Sequence, residues 1–379
     1  MIKTMITLLL TFYVVAAGAA ETINIATAYN IESKVLKETR GYSVYLPDDY
    51  EQTKAWRFPV LYVLDGEDNL RHTSGTVDFL GRYNNIPGLI VIAIDSPERY
   101  RDFTPSGPED DNTVGGAGPF LDFVEKELMP HINKTYRSDK FNMIAGHSLG
   151  GLLVIHSLQA RPHLFQAHFA FSPSLWWDEQ LPVNNMVKWL AKTKSTKNYL
   201  YLNLGDEGER MQAGYNDLVA ALNKSVPDGF RFKAERLSDE THTTTPVIGQ
   251  FSALRSLYAK WKIPNSYYPQ GIVAIDQYYQ ALSKEFGYEI KTSQTVINNL
   301  AYYYMGYAKK PKMAIEAFSR NVQDYPDSGL AHANLAGGYE NDGQIDKAIE
   351  SFDRALKYMR ESDASYVETK NNRDRLVKG

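Results

Sequence analysis

Met143-Ile144-Ala145-Gly146-His147-Ser148-Leu149-Gly150-Gly151-Leu152-Leu153-Val154-Ile155 is the stretch on which the reading of the whole chain turns. Three apolar residues run into a Gly-x-Ser-x-Gly, and an apolar, helix-like run follows. A serine on a sharp strand-to-helix turn stands with its hydroxyl above the sheet, and the crowded backbone there asks for glycine on both flanks. The helix that starts behind it presents the positive end of its dipole, and the N–H of Leu149 can donate to a developing oxyanion. The pentapeptide alone is a weak signal. Strand, elbow and helix together make Ser148 a candidate nucleophile.

Outward from the elbow, residues from about Thr22 to Lys262 alternate short apolar runs with amphipathic stretches, the pattern of a sheet with crossover helices. Strands are predicted at Ile23–Thr27, Tyr42–Leu46, Pro59–Leu64, Leu89–Ile94, Asn142–Ala145, Ala167–Phe171, Tyr199–Leu204 and Phe232–Leu237. The first ones lie close together with turn residues between them and read as antiparallel. From Val60 onward helix-like segments follow the strands, among them Phe120–Ile132, Leu149–Gln159 and Tyr215–Asn223. The expectation is an α/β fold of the α/β-hydrolase kind, with a mostly parallel central sheet, over residues 21–264.

After Ile263-Pro264-Asn265-Ser266 the strand pattern stops, and residues 265–379 read as helices only. Ala314 and Phe318 recur 34 residues later as Ala348 and Phe352, each on the second helix of a pair. This resembles the tetratricopeptide repeat, in which small and aromatic residues interlock across a helical hairpin. The match departs at Ala301 and Tyr302, where Leu and Gly are expected, and the second unit has no closing proline. Two repeats are fewer than a solenoid needs to stand alone. The helix around Ala274–Phe286 is therefore expected to complete the block and dock it on the hydrolase. A peptide-binding groove (a partner or dimer contact) and a plain packing appendage both stay open for it.

The chain of 379 residues carries a net charge of -4 with a pI near 6.1, which offers no basic surface for nucleic acid or an anionic membrane. Residues 1–20 read as a cleaved signal peptide: Lys3, the apolar Ile6–Ala16, then Ala17-Gly18-Ala19-Ala20 before polar Glu21. The expectation is a periplasmic or secreted protein with no membrane insertion after cleavage. The absence of cysteine excludes disulfides, thiolate-held metals and a thiol nucleophile.

In this kind of fold the acid and then the histidine follow the serine. Of eight histidines, His72 and His131 precede Ser148, His147 lies inside the elbow and His156 behind it. His163 and His168 come before any acid loop, and His332 belongs to the repeats. His242, in Asp239-Glu240-Thr241-His242-Thr243-Thr244, remains as the base. The strand Tyr199–Leu204 ends in Gly205-Asp206-Glu207-Gly208-Glu209, where the acid belongs; Glu207 is favoured, then Glu209, then Asp206, with a Ser–His dyad as the alternative. After the third strand comes Leu64-Asp65-Gly66-Glu67, and the backbone N–H of Glu67 is the expected second oxyanion donor. Asp65 reads first as a turn-former. Gly115-Gly116-Ala117-Gly118-Pro119 follows the acidic Glu109-Asp110-Asp111 and reads as a flexible loop at the mouth. No metal motif, Walker loop or dinucleotide fingerprint is present, so no cofactor is expected.

Five stretches together resemble the bacterial serine esterases related to enterobactin (enterochelin) esterases. They are Tyr62-Val63-Leu64-Asp65-Gly66, Arg99-Tyr100-Arg101-Asp102-Phe103-Thr104-Pro105, Gly115-Gly116-Ala117, Gly146–Gly151 and Phe171-Ser172-Pro173-Ser174-Leu175-Trp176-Trp177. The resemblance implies that Ser148 and His242 are catalytic and that Trp176 and Trp177 wall the pocket. It also implies a small-molecule ester substrate, siderophore trilactones among the class. A ferric catecholate is strongly anionic, and only Arg99 and Arg101 offer charge near a site loop, with Arg101 the expected pocket cation. The rivals are an altered scaffold acting as a binding module through its repeats, and an acyltransferase using the same residues.

Overall fold

The computed structural model describes residues 24–51 and 56–378. The expected leader, and Ile23 at the start of the first expected strand, lie outside them. Eight strands form one sheet: β1 (Thr27–Ser33), β2 (Glu38–Tyr45), β3 (Phe58–Leu64), β4 (Ile90–Ile94), β5 (Ser138–His147), β6 (Ala167–Phe171), β7 (Tyr199–Leu204) and β8 (Arg231–Arg236). Their order is β1-β2-β4-β3-β5-β6-β7-β8. β2 runs antiparallel to β1 and β4, and β3 to β8 are parallel. This is the α/β-hydrolase sheet expected from the alternating pattern. The first strand lies later than the expected Ile23–Thr27, which it meets only at Thr27. β1 is an exposed edge whose register against β2 is held by backbone bonds, so polar Thr27, Asn30 and Glu32 serve in it and hydrophobicity does not mark it.

Every residue of β3, β4, β6 and β7 is buried, as befits parallel strands with both faces covered. Eight helices accompany the sheet: α1 (Gly66–Arg82), α2 (Arg99–Phe103), α3 (Ala117–Phe123), α4 (Met129–Thr135), α5 (Leu149–Ala160), α6 (Trp177–Lys192), α7 (Glu209–Lys224) and α8 (Thr245–Leu257). Val60, Tyr62 and Leu64 of β3 point to the face packed by Phe120, Leu153 and Leu218 of α3, α5 and α7. Leu61 and Val63 point to the other face, with Val77 of α1 and Leu254 of α8. The predicted helix Phe120–Ile132 is longer and has a π-turn at Val124–Leu128 joining α3 to α4. Pro130 lacks an N–H and its ring would press on the carbonyl four residues back, and the wider turn relieves both.

Past Pro264 the described residues hold no strand. They form a short 3₁₀ turn at Asn265–Gln270, then α9 (Ile272–Phe286), α10 (Gln294–Tyr302), α11 (Pro311–Asp324), α12 (Gly329–Asn341), α13 (Ile345–Tyr358) and α14 (Ala364–Lys378), with α10 to α14 packing neighbour on neighbour. Ala314, Phe318, Ala348 and Phe352, spaced by 34 residues, are all buried between these helices. The first helices of this region share one apolar cluster with the sheet. Phe286 stacks on Tyr258 at 5.2 Å and lies 5.4 Å from Phe141 of β5. Trp261 and Ser293 both donate to the side-chain oxygen of Asn84, after α1.

Candidate active site

β5 delivers its chain into the turn at Ser148, whose backbone sits at φ 59 and ψ −113. That conformation costs a non-glycine residue on the order of 1–3 kcal/mol and persists because the surroundings over-determine it. Ser148 N–H donates to the Phe171 carbonyl at 3.0 Å, and the Ser148 carbonyl accepts from Leu152 and Ser174 N–H groups, each at 3.0 Å. A Cβ on Gly146 would fall 2.5 Å from the backbone of Gly150, and one on Gly151 would fall 2.9 Å from Pro173. Gly150 has more room, 3.4 Å from its nearest neighbour. The two glycines that the elbow cannot replace are therefore 146 and 151.

His242 lies in the turn between β8 and α8, and Glu207 in the loop between β7 and α7. His242 Nδ1–H donates to Glu207 Oε2 at 2.6 Å. The other carboxylate oxygen accepts from the Ser172 hydroxyl at 2.5 Å and from the Gly205 N–H at 3.2 Å, and Ser172 in turn meets the Thr245 hydroxyl at 2.9 Å. Burial alone would raise the Glu207 pKa. The bonds from His242 and Ser172 outweigh it and hold the carboxyl below its ordinary value. Of the three acids in this loop, Asp206 and Glu209 are exposed; the Glu207 side chain is only 4% exposed, and it is the one that reaches the imidazole.

Ser148, His242 and Glu207 line one open cleft together with Ser174, Trp176, Asp206, Gly208 and Met211. The Ser174 hydroxyl is 3.4 Å from that of Ser148. A second cavity, between the start of β3 and the helical region near Trp56, Phe58 and Tyr325, contains no histidine among its described lining. Among the described residues no group of three or more His, Asp or Glu side chains is arranged to hold a metal.

Leu149 opens α5 and Glu67 lies in the first turn of α1, so both carry N–H groups that a helix leaves without an internal acceptor. The two helix starts adjoin, since a Cβ on Gly150 would stand 3.4 Å from Asp65 Oδ2. Asp65 does take a left-handed turn conformation, φ 52, but its side chain does not cap α1. It pairs with Arg99 Nε at 2.9 Å, and Arg99 Nη2 holds the His147 carbonyl at 3.0 Å. Burial pushes the Asp65 pKa up to about 6, with Arg99 opposing.

Arg101 does not face the cleft. Its guanidinium is held by Glu38 at 2.7 Å and Asp102 at 2.8 Å, in a cluster with the fully buried Arg40, which also bonds Glu38 and Asp102. Two cations balance two carboxylates there, leaving none for a substrate. The same segment explains the glycine-rich stretch, which is not a free loop: Gly116 N–H donates to the Arg101 carbonyl at 2.8 Å and Gly115 N–H to Thr104 Oγ1 at 2.7 Å. A Cβ on Gly116 would meet that carbonyl at 2.8 Å.

The two tryptophans part company. Trp176 lines the cleft and carries the Arg210 guanidinium 3.9 Å over its ring, a cation that the sequence reading missed. Trp177 turns away to donate to Ser106 at 3.1 Å and pack on the core. Directly after them Asp178, Glu179 and Gln180 make a left-handed turn, φ 45, 52 and 61, at about 1–2 kcal/mol per residue. Glu179 is exposed, so Glu179→Gly is expected to raise stability by about 1 kcal/mol in denaturant titration. An unchanged or lower midpoint would mean that the turn is not strained.

A family model described as "Putative esterase" matches residues 33–243, more than half of the chain. The chain belongs to this esterase family. The esterase is 29% identical over 246 residues to the ferri-bacillibactin esterase BesA of Bacillus subtilis, covering 58% of this chain and 85% of that protein. It is 30% identical over 183 residues to the siderophore triacetylfusarinine C esterase of Aspergillus fumigatus, covering 44% and 62%. The crystal structure of an IroE-like serine hydrolase from Shewanella oneidensis superposes with a TM-score of 0.69 at 28% identity, over 79% of this esterase and 99% of that chain.

Proposed function

We propose that this esterase hydrolyses carboxylic esters through an acyl-enzyme on Ser148, with His242 as base and Glu207 as its orienting acid. The observation that carries the reading is the 2.6 Å bond from His242 to a buried Glu207 in the cleft that also holds the strained Ser148. His242 takes the Ser148 proton as the hydroxyl attacks the carbonyl, and the N–H groups of Leu149 and Glu67 receive the oxyanion. The imidazolium then protonates the leaving alcohol, and water attacks the acyl group to return the serine. The substrate class is the siderophore-type ester that the relatives' names carry. A screen of catecholate trilactones, hydroxamate esters and simple acyl esters tests it: a preference of less than about tenfold, ~1.4 kcal/mol, for any siderophore ester would count against that class.

Glu207→Gln is expected to lower kcat by about 10³–10⁴-fold, because a glutamine can neither fix the tautomer nor stabilise the imidazolium. A loss below tenfold would mean that Ser148 and His242 act as a dyad. The same bond links stability to pH. With the Glu207 pKa below its unfolded value, the stabilisation is complete above the ordinary glutamate range and is lost as pH falls through the folded pKa.

A further inference from the structure

His147 is a half-buried histidine beside the cleft to which the chemistry above gives no task. Its Nε2 lies 2.7 Å from the carbonyl oxygen of His242, and the two imidazoles are 4.5 Å apart between centroids. A carbonyl can only accept, so the proton of that contact sits on Nε2 and His147 cannot use this nitrogen to take a proton from serine. Burial, with the charge of neighbouring His242 adding to it, drives the His147 pKa down to about 4. The ring is therefore neutral, and places no second positive charge beside the imidazolium of the reaction.

The backbone of His147 is anchored from the other side. Its carbonyl accepts from Arg99, and Arg99 is fixed by Asp65 at the start of α1. The His242 turn needs such an anchor. Its imidazole is more than one-third exposed, and Glu207 grips the ring through Nδ1 only. A ring held at one nitrogen can still swing if its backbone moves, and misplacement by about 1 Å can cost 10²-fold in rate.

We propose that His147 is a positioning residue: by donating from Nε2 to the His242 carbonyl it ties the turn carrying the base to the elbow carrying the nucleophile. The Thr245 hydroxyl lies 3.1 Å from the same carbonyl, but its one proton is shared with the Ser172 hydroxyl at 2.9 Å, which leaves His147 as the dedicated donor. The proposal rests on the reading of Ser148 and His242 given above.

The test uses the full chain and a p-nitrophenyl ester. His147→Leu keeps the bulk and removes the donor, and is expected to lower kcat by about 10–100-fold with KM changed less than about twofold. His147→Gln returns an N–H to roughly the Nε2 position and is expected to recover most of kcat. An unchanged kcat in the leucine variant overturns the proposal, and so does an equal loss in the leucine and glutamine variants that follows their melting temperatures. Should the leucine variant not fold, His147→Asn replaces it. Its shorter amide cannot reach the carbonyl, and an asparagine variant as fast as the glutamine one overturns the proposal. Persistent activity in Ser148→Ala would instead overturn the underlying reading of the nucleophile, whatever His147 does.

Discussion

Ser148→Ala is expected to lower hydrolysis of a p-nitrophenyl ester by at least about 10³-fold and to abolish labelling by a fluorophosphonate. Every step of the proposed route passes through that hydroxyl: its attack makes the acyl bond, and its proton is the one that His242 moves. The remaining activity would come from the oxyanion donors and substrate binding alone. The substitution leaves the fold almost untouched, because alanine meets the same strain at φ 59 and the elbow's bonds at this position are made by backbone. A melting temperature near that of the unaltered chain, with activity gone, is the expected pair of results. Labelling that persists in the variant would place the nucleophile elsewhere; Ser174, 3.4 Å away, would be the first residue to examine.

Ending the chain after Pro264 is expected to cost most of the stability of the hydrolase part. Sequence spacing suggests a separable helical unit, and a loosely docked one would shed cleanly at Ile263–Tyr268 under a protease. The packing argues otherwise. Phe141, Tyr258, Trp261 and Ile263 are buried in the same cluster as Ile275, Tyr279, Leu282 and Phe286 of α9. Tyr279 also donates to the Trp261 carbonyl at 3.2 Å. Burial of each large apolar side chain contributes about 1.5–3 kcal/mol. Uncovering several at once approaches the roughly 5–15 kcal/mol by which domains are stable. The truncated chain should aggregate or melt far below the full one. Phe286→Ala, a milder probe, should lose about 3–5 kcal/mol in denaturant titration. A soluble 21–264 fragment that melts where the full chain does would show that the helices only decorate the sheet.

The route from sequence to site was short where local geometry dictates residue type. A serine elbow needs glycine where backbones touch, so Gly146 and Gly150 announced the turn and its flanking periodicities announced strand and helix, although it is Gly146 and Gly151, rather than Gly150, that the packing cannot replace. The chain order of acid and histidine placed His242 by elimination. Charged groups were harder to read. Arg101 looked available and is consumed by Glu38 and Asp102, while Arg210, unremarkable in the sequence, lies over Trp176. A side chain's charge is written in the sequence, but its partner is set by which loops the sheet brings together.

The sequence by itself determined the α/β alternation, the elbow at Ser148 and the end of strand patterning near Pro264, because each is a matter of local spacing, and it singled out His242 as the candidate base because chain order left no other histidine. Only the tertiary structure decided that Glu207, and not Asp206 or Glu209, faces the imidazole, since three neighbouring carboxylates differ by direction and burial rather than by composition. It also decided that Gly115 and Gly116 pin a segment instead of freeing one, and that His147 reaches the carbonyl of His242. The docking expected for the helices after Pro264 was given its partners there, with Tyr279 and Phe286 in one cluster with Phe141 and Tyr258. These are contacts between residues far apart in the chain, and a periodic pattern carries no information about which distant surface will cover it.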